Sequence, residues 1–300
     1  MKWMVYRQHR LELGLVLIGG AVIGLAFLAH SRMMQQFYEA KDFVGLEYAM
    51  NAYPWRFVQA VPFLIGLFVA APLLSREAEN GTMQLGLTQS IGHGRWFVSK
   101  IGWVALVVLV GVGLAALGLH SWLKPVSGAL GPWELFDLFP PAFIGFSVLA
   151  FALGTFLGML IARPVPAMAV TLGLTIAARW GFTKLRPFFM KAQTEILDAV
   201  QIAGGRFESG KDWILRSALM DQAGARIIRE DLDRLCPMRW QDSNFGRDLA
   251  CFARQGWQMD ITFHPLEHLW ALQWIEAGIL IALAGSLIFL TWYVFKRRLS

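Results

Sequence analysis

From Ile101 to Leu119 the chain carries no charged side chain, and its middle is the run Val107-Val108-Leu109-Val110. With the approach from Phe97, this stretch matches the roughly 20 apolar residues that a bilayer-spanning helix requires. Windows of about 19 residues find five more such stretches. The six lie at 11–29, 57–74, 97–119, 139–161, 165–182 and 272–294. The fifth is the most polar, with Thr171, Thr175 and Arg179 inside it and Trp180-Gly181 at its end. Composition points the same way: 56% of the residues are hydrophobic, 16% are charged and the mean hydropathy is +0.48. Those values exclude an ordinary soluble enzyme, a disordered chain and a disulfide scaffold. The 13 tryptophans and 22 phenylalanines suit a wide apolar face edged by lipid interfaces. The expected fold class is an all-α polytopic membrane protein with six transmembrane helices.

The net charge of +6 has to be located before it is interpreted. With six spans both termini share a side, and placing them in the cytoplasm puts Lys2, Arg7, Arg10, Arg76, Arg95, Lys100, Arg163, Lys296, Arg297 and Arg298 there. The short outer segments then hold only Arg32, Lys41, Arg56, Lys124 and Arg179. This is the asymmetry that cytoplasmic loops show, so the expected location is the plasma membrane with both termini cytoplasmic. The excess charge sits at a lipid surface, and no nucleic-acid partner is expected. The first stretch is longer than the apolar region of a usual cleavable leader, and it reads as a span preceded by an amphipathic elbow around Trp3, Met4 and Tyr6. Gly20 with Gly24 and Gly154 with Gly158 are small-xxx-small pairs that let helices approach closely. Arg163-Pro164-Val165-Pro166 forces a tight turn between spans four and five, because proline suits the first turn of a helix but not its interior.

The segment 183–271 shifts in composition enough to be a separate extracellular domain, expected to be mainly helical. Lys191–Ala203 and Trp213–Leu235 read as amphipathic helices, with Ile214, Leu215, Leu219, Ile227, Ile228 and Leu232 at mixed three- and four-residue spacing. Both cysteines, Cys236 and Cys251, fall here, on the oxidising side, where a disulfide closing a short loop is plausible. Gly205-Arg206-Phe207-Glu208-Ser209-Gly210-Lys211-Asp212 nearly spells a phosphate-binding loop, but Asp212 stands where a hydroxyl is needed and no apolar strand precedes it. His264-Pro265-Leu266-Glu267-His268 has the spacing of an inverted zinc-peptidase motif without a clear third ligand, so no metal is expected.

The loop between spans two and three, 75–96, is the most informative stretch. Asn80-Gly81 breaks the helix that continues from span two, Thr82 can cap a short second helix, and Met83, Leu85 and Leu87 give that helix an apolar side. Such a helix, projecting from a bundle beside the carboxylates Glu77 and Glu79, is a docking surface. The set Glu77-x-Glu79-x-Gly81-Thr82, Gln89-Ser90, Arg95-Trp96 and Lys100 resembles the cytoplasmic loop of type-2 ABC exporter permeases, in particular their actinobacterial branch. Tyr6-Arg7-Gln8-His9-Arg10-Leu11, Arg163-Pro164-Val165-Pro166-Ala167 and His264-Pro265 through Gln273 and Glu276 agree with that resemblance, which departs from the usual pattern at His93-Gly94 and Glu267-His268.

The resemblance implies a permease subunit that dimerises, most simply with a second copy of itself, to enclose an export path through the lipid bilayer. It further implies that the loop, through Glu77, Glu79, Gly81, Thr82, Met83, Leu85, Leu87 and Arg95, is a coupling helix seated in a separate ABC ATP-binding subunit. The chain itself is then no enzyme and holds no cofactor; ATP and magnesium belong to the partner. The expected division is 1–182 for the elbow and spans one to five, 183–271 for the extracellular domain, and 272–300 for span six and a basic tail. Independently of any family, Arg179 and Glu276 lie at comparable depth near the outer ends of spans five and six. Membrane-buried charges are costly unless paired, so these two are expected to pair as an outer gate. The competing reading is a membrane sensor or assembly protein whose outer segment binds a ligand.

Overall fold

The computed structural model describes residues 2–42, 44–45, 48–49, 55–81, 92–198, 201, 211–236 and 251–298. It divides into two compact units: Met1–Ala129 with Glu134–Arg186 and Gln273–Ser300, and Leu130–Trp133 with Pro187–Leu272. The first contains the helices α1 (Lys2–Glu39), α2 (Arg56–Glu79), α3 (His93–Leu130), α4 (Pro140–Ile161) and α5 (Pro164–Leu185). A short helix α6 (Arg229–Leu235) belongs to the second unit, and α7 (His268–Arg297) runs from the second into the first. Six of these helices are long and apolar enough to cross a membrane, and each covers one of the six stretches found in the sequence, the fourth all but Phe139.

Local sequence explains the helix ends and irregularities. Proline occupies the first turns of α4 and α5, and the turn between them is made by Ala162 at φ 56° followed by extended Arg163. Helix α2 is not uniform: Ile65–Ala70 forms a π-helical turn, in which the Ala71 amide reaches back to the Gly66 carbonyl. Pro72 accounts for this. It has no amide to give the Phe68 carbonyl, and its ring would crowd that carbonyl in a regular α-helix, so the preceding turn widens.

Helix α4 is the centre of the first unit, packed against α2, α5 and α7. Phe146, Leu149 and Ala152 meet Leu280 and Ala284 of α7 in one apolar cluster. Close packing needs small residues where helix axes approach, and both glycine pairs found in the sequence serve this within the chain. A Cβ on Gly154 or Gly158 would strike the backbone of α2 between Gly66 and Ala71. One on Gly20 or Gly24 would strike the α3 backbone at Gly111 and Leu114. The hydroxyls of Ser147, Thr155, Thr171 and Thr175 are buried without penalty because each donates to the carbonyl four residues earlier in its own helix.

In the second unit the expectation of a mainly helical insertion is overturned. Gln193–Asp198 (β1), Trp213–Met220 (β2) and Gln258–His264 (β3) form an antiparallel sheet in the order β1-β3-β2. Leu197, Ile261 and Phe263 share one face of the sheet as its core, with Met259 against them. The reason lies in period two: Met259, Ile261 and Phe263 alternate with Asp260 and Thr262, and a slip of one residue would expose all three. Within β2 the alternation is broken by an irregularity between Ile214 and Arg216, which leaves apolar residues three or four apart and imitates a helix. Only Arg229–Leu235 of the second expected helix is helical. It leads to Cys236, which is bonded to Cys251 with the Cα atoms 5.9 Å apart.

Candidate functional site

Two polar clusters in the first unit lie towards opposite ends of α7. The first is at the loop between α2 and α3. Helix α2 ends at Glu79, Asn80 caps it, and Gly81 takes φ +68°, which favours a residue without a Cβ. Glu77 turns inward, is only 8% exposed, and makes an ion pair with Lys100 of α3, which is 2% exposed and lies over the Trp96 ring. Glu77 thus ties the two helices that bracket the loop. Glu79 and Arg95 are exposed, Gly81 stands at the stem, and Thr82, Met83, Leu85 and Leu87 lie outside the described residues. The stem is fixed sideways by aromatic contacts: Trp96 stacks on Phe295 of α7 at 5.5 Å, and Phe97 meets Trp292 at 5.1 Å. Arg298 donates to the Leu160 carbonyl at the end of α4, 2.9 Å away.

The second cluster joins the start of α4, the end of α5 and the start of α7. Arg186 donates through Nε and Nη2 to both oxygens of Glu276, at 2.7 and 3.0 Å. The same Nη2 lies 2.5 Å from Asp137 Oδ1, and Arg179 Nη2 lies 2.6 Å from Asp137 Oδ2. Arg179 and Glu276 therefore do not pair directly, as the sequence reading expected; they are the ends of a chain of four charges linked through Asp137 and Arg186. The two-pronged fork matches the planar guanidinium to a carboxylate, the strongest arrangement open to such a pair. Side-chain exposure is 6% for Arg186 and 1% for Glu276, so the attraction acts in a medium of low polarity. Phe136 lies under the Arg186 guanidinium at 3.8 Å and Phe146 under that of Arg179 at 5.0 Å. One turn before Glu276, Gln273 accepts from the Ala142 amide at 3.0 Å and donates to the Phe136 carbonyl at 2.6 Å. The segment before α4 is thus held on both sides by α7.

Residues 29–186 match the family described as ABC-2 membrane transporter related, which is more than half of the chain. The chain belongs to this family. No curated protein matches it. It is thus an ABC-2 type permease and a multi-pass membrane protein, and as a membrane subunit it is not itself the catalytic one; the family implies an ABC ATP-binding partner.

The matched segment runs from Ala29 within α1 to Arg186 and includes the whole α2–α3 loop with Asp137 and Arg179; Glu276 lies beyond it. Asp137 and Arg186 of the permease do not stand out in the sequence as costly charges because they lie outside the span boundaries. Asp137 alone in Leu135-Phe136-Asp137-Leu138-Phe139 and Arg186 directly before Pro187 carried the signal. Among the described residues no group of three or more His, Cys, Asp or Glu is placed to hold a metal ion. The Nδ1 atoms of His264 and His268 face each other at 3.1 Å, while His264 Nε2 lies 3.1 Å from the Pro187 carbonyl. A carbonyl only accepts, so Nε2 of His264 carries the proton and its Nδ1 accepts from His268. Burial pushes the His264 imidazole below its ordinary pKa, because the charged form would lose its hydration. Asp212, the residue that spoils the phosphate-binding motif, accepts the Leu266 amide at 3.1 Å just before α7. Residues 205–210 of that motif lie outside the described residues.

Proposed function

We propose that this permease is the membrane subunit of an ATP-driven exporter: two copies enclose the path, and each receives the stroke of an ATP-binding subunit through the α2–α3 loop. The observation that carries the reading is the braced stem of that loop. Glu77 and Lys100 join its two helices internally, while Glu79 and Arg95 are left exposed for a partner. A stem tied in this way moves as one piece, so a push on the loop displaces α2 and α3 together. Trp96 and Phe97 then pass the displacement to Trp292 and Phe295 of α7. Some nineteen residues separate Glu276 from Phe295, about 28 Å of helix, so α7 is a lever between the stem and the four-charge cluster.

In this reading the cluster is an outer latch, closed while Arg186 holds Glu276 and Asp137 and opened when α7 shifts, two discrete arrangements of packed elements. The basic residues at the N-terminus, the loop and the C-terminus support a cytoplasmic location for those ends. By the parity of the spans the second unit then lies outside, where a Cys236–Cys251 bond persists.

The test is co-purification with ATP-binding subunits encoded beside this chain, measuring ATPase activity with the loop intact and with 82–90 replaced by a glycine-serine linker. Stoichiometric capture lost with the linker supports the reading. Equal capture and equal ATPase activity with either loop would remove it, and a permease that purifies with a signalling protein instead would favour a sensor.

A further inference from the structure

Between α1, α2 and α3 lies an open groove of about 440 Å³ that neither cluster uses. Its walls include Val16 and Gly19 of α1, Ile65 and Phe68 of the π-helical turn, and Val112 of α3; the one charged lining residue is Glu12, at its end. Glu12 pairs at 2.7 Å with Arg76, whose side chain is 56% exposed. From Glu12 to Ile23 the α1 wall extends for eleven residues, about 16 Å, roughly half of the ~30 Å hydrocarbon core of a bilayer. The groove is therefore as deep as one leaflet, with its polar end where apolar α1 begins and apolar α2 stops.

We propose that the groove seats one acyl chain of a zwitterionic phospholipid, with the headgroup phosphate on Arg76 and its ammonium against Glu12. The charge of the rim decides the occupant. Arg76 keeps donors beyond the one given to Glu12, and a guanidinium fork is suited to phosphate. An anionic headgroup would meet the Glu12 carboxylate and a purely cationic amphiphile would meet Arg76, whereas a zwitterion satisfies both. The proposal rests on the membrane-spanning fold but not on transport, since a bound structural lipid needs neither an exporter nor an ATP-binding partner.

The glycines of α1 supply the test. A Cβ on Gly19 meets nothing within 4 Å, and the same is true of Gly14, which does not line the groove. Gly19→Leu therefore enters the groove from a Cβ that meets no packed atom, and Gly14→Leu is the control on the same helix. The full chain is reconstituted in vesicles of equal phosphatidylethanolamine and phosphatidylglycerol, extracted in mild detergent, and its retained lipid measured by mass spectrometry together with its oligomeric state. The wild type and Gly14→Leu should retain about one phosphatidylethanolamine per chain, enriched three- to fivefold over phosphatidylglycerol, roughly the size of one exposed charge contact. Gly19→Leu should lose that lipid, and Glu12→Gln with Arg76→Gln should keep a lipid but lose the enrichment. Undiminished phosphatidylethanolamine in Gly19→Leu, or enrichment that survives the double substitution, overturns the proposal. So does a change of oligomeric state in Gly19→Leu at constant retained lipid, which would make the groove a contact with a second copy.

Discussion

Removing Arg186 tests the four-charge cluster most directly. In Arg186→Met the Glu276 carboxylate, 1% exposed, loses both prongs of its fork, and Asp137 keeps only Arg179. Leaving one member of a buried pair uncompensated costs about 3–5 kcal/mol. Glu276→Leu leaves Arg186 with one carboxylate instead of two, and a similar loss follows. Removing both returns the site to neutrality, with the Arg179–Asp137 pair intact and apolar side chains beside Phe136. The double variant should therefore lose about 2 kcal/mol or less, giving a coupling energy of about 4 kcal/mol or more, above the upper end of what contacting residues show. Equilibrium unfolding in mixed micelles, followed by tryptophan fluorescence, measures all four corners of the cycle. The exchanged variant Arg186→Glu with Glu276→Arg sharpens the result. An isolated pair would be rescued by exchange, but here the new carboxylate at 186 faces Asp137, so rescue should fail. Single losses below about 1 kcal/mol, additivity within about 0.5 kcal/mol, or full rescue by exchange would refute the account.

The stem of the loop should behave as a second such pair: Lys100→Met destabilises by about 3 kcal/mol because it breaks a buried ion pair, and adding Glu77→Leu recovers part of that in the same unfolding assay. Glu79→Ala, by contrast, should leave stability within about 0.5 kcal/mol because the side chain is exposed, while lowering ATPase activity in the assembled complex; unchanged activity would count against its proposed role. Gly111→Ala should cost about 1–3 kcal/mol by driving a methyl into the α1 backbone at Val16, and Gly113→Ala, with open space around it, should not. In the second unit the depressed pKa of His264 makes stability greatest above the ordinary histidine value of about 6.5. It falls as pH drops through that value, because the unfolded chain takes the proton first; thermal melts between pH 7.5 and 5 should flatten in His264→Phe.

The parts of the fold that were legible in the sequence are those where one interaction dominates. A lipid-spanning helix must be apolar for its whole length and satisfy its backbone internally, so Ile101–Leu119 announces α3 without reference to any neighbour. The Ala162–Arg163 turn was legible because proline restricts the backbone locally. The insertion was misread where two periods competed. The irregularity in β2 spaces Ile214, Leu215 and Leu219 as a helix would, and the pairing partner that decides for a strand, Gln258–His264, lies some forty residues further along the chain. The site shows the same division. Arg179 and Glu276 were found because a charge inside an apolar run is costly by itself. Which charge answers which was not legible, because Asp137 and Arg186 stand outside the apolar runs and are drawn in only when α4, α5 and α7 pack. Glu77 shows the converse: its place beside Glu79 suggested one shared role, yet two residues along a helix turn a side chain by about 200°, so one carboxylate faces Lys100 while the other is exposed. Adjacent carboxylates at the end of a packed helix are thus poor evidence for a common partner. The helical period assigns one to the interior and one to the surface, and it is the second that the proposed coupling role takes up.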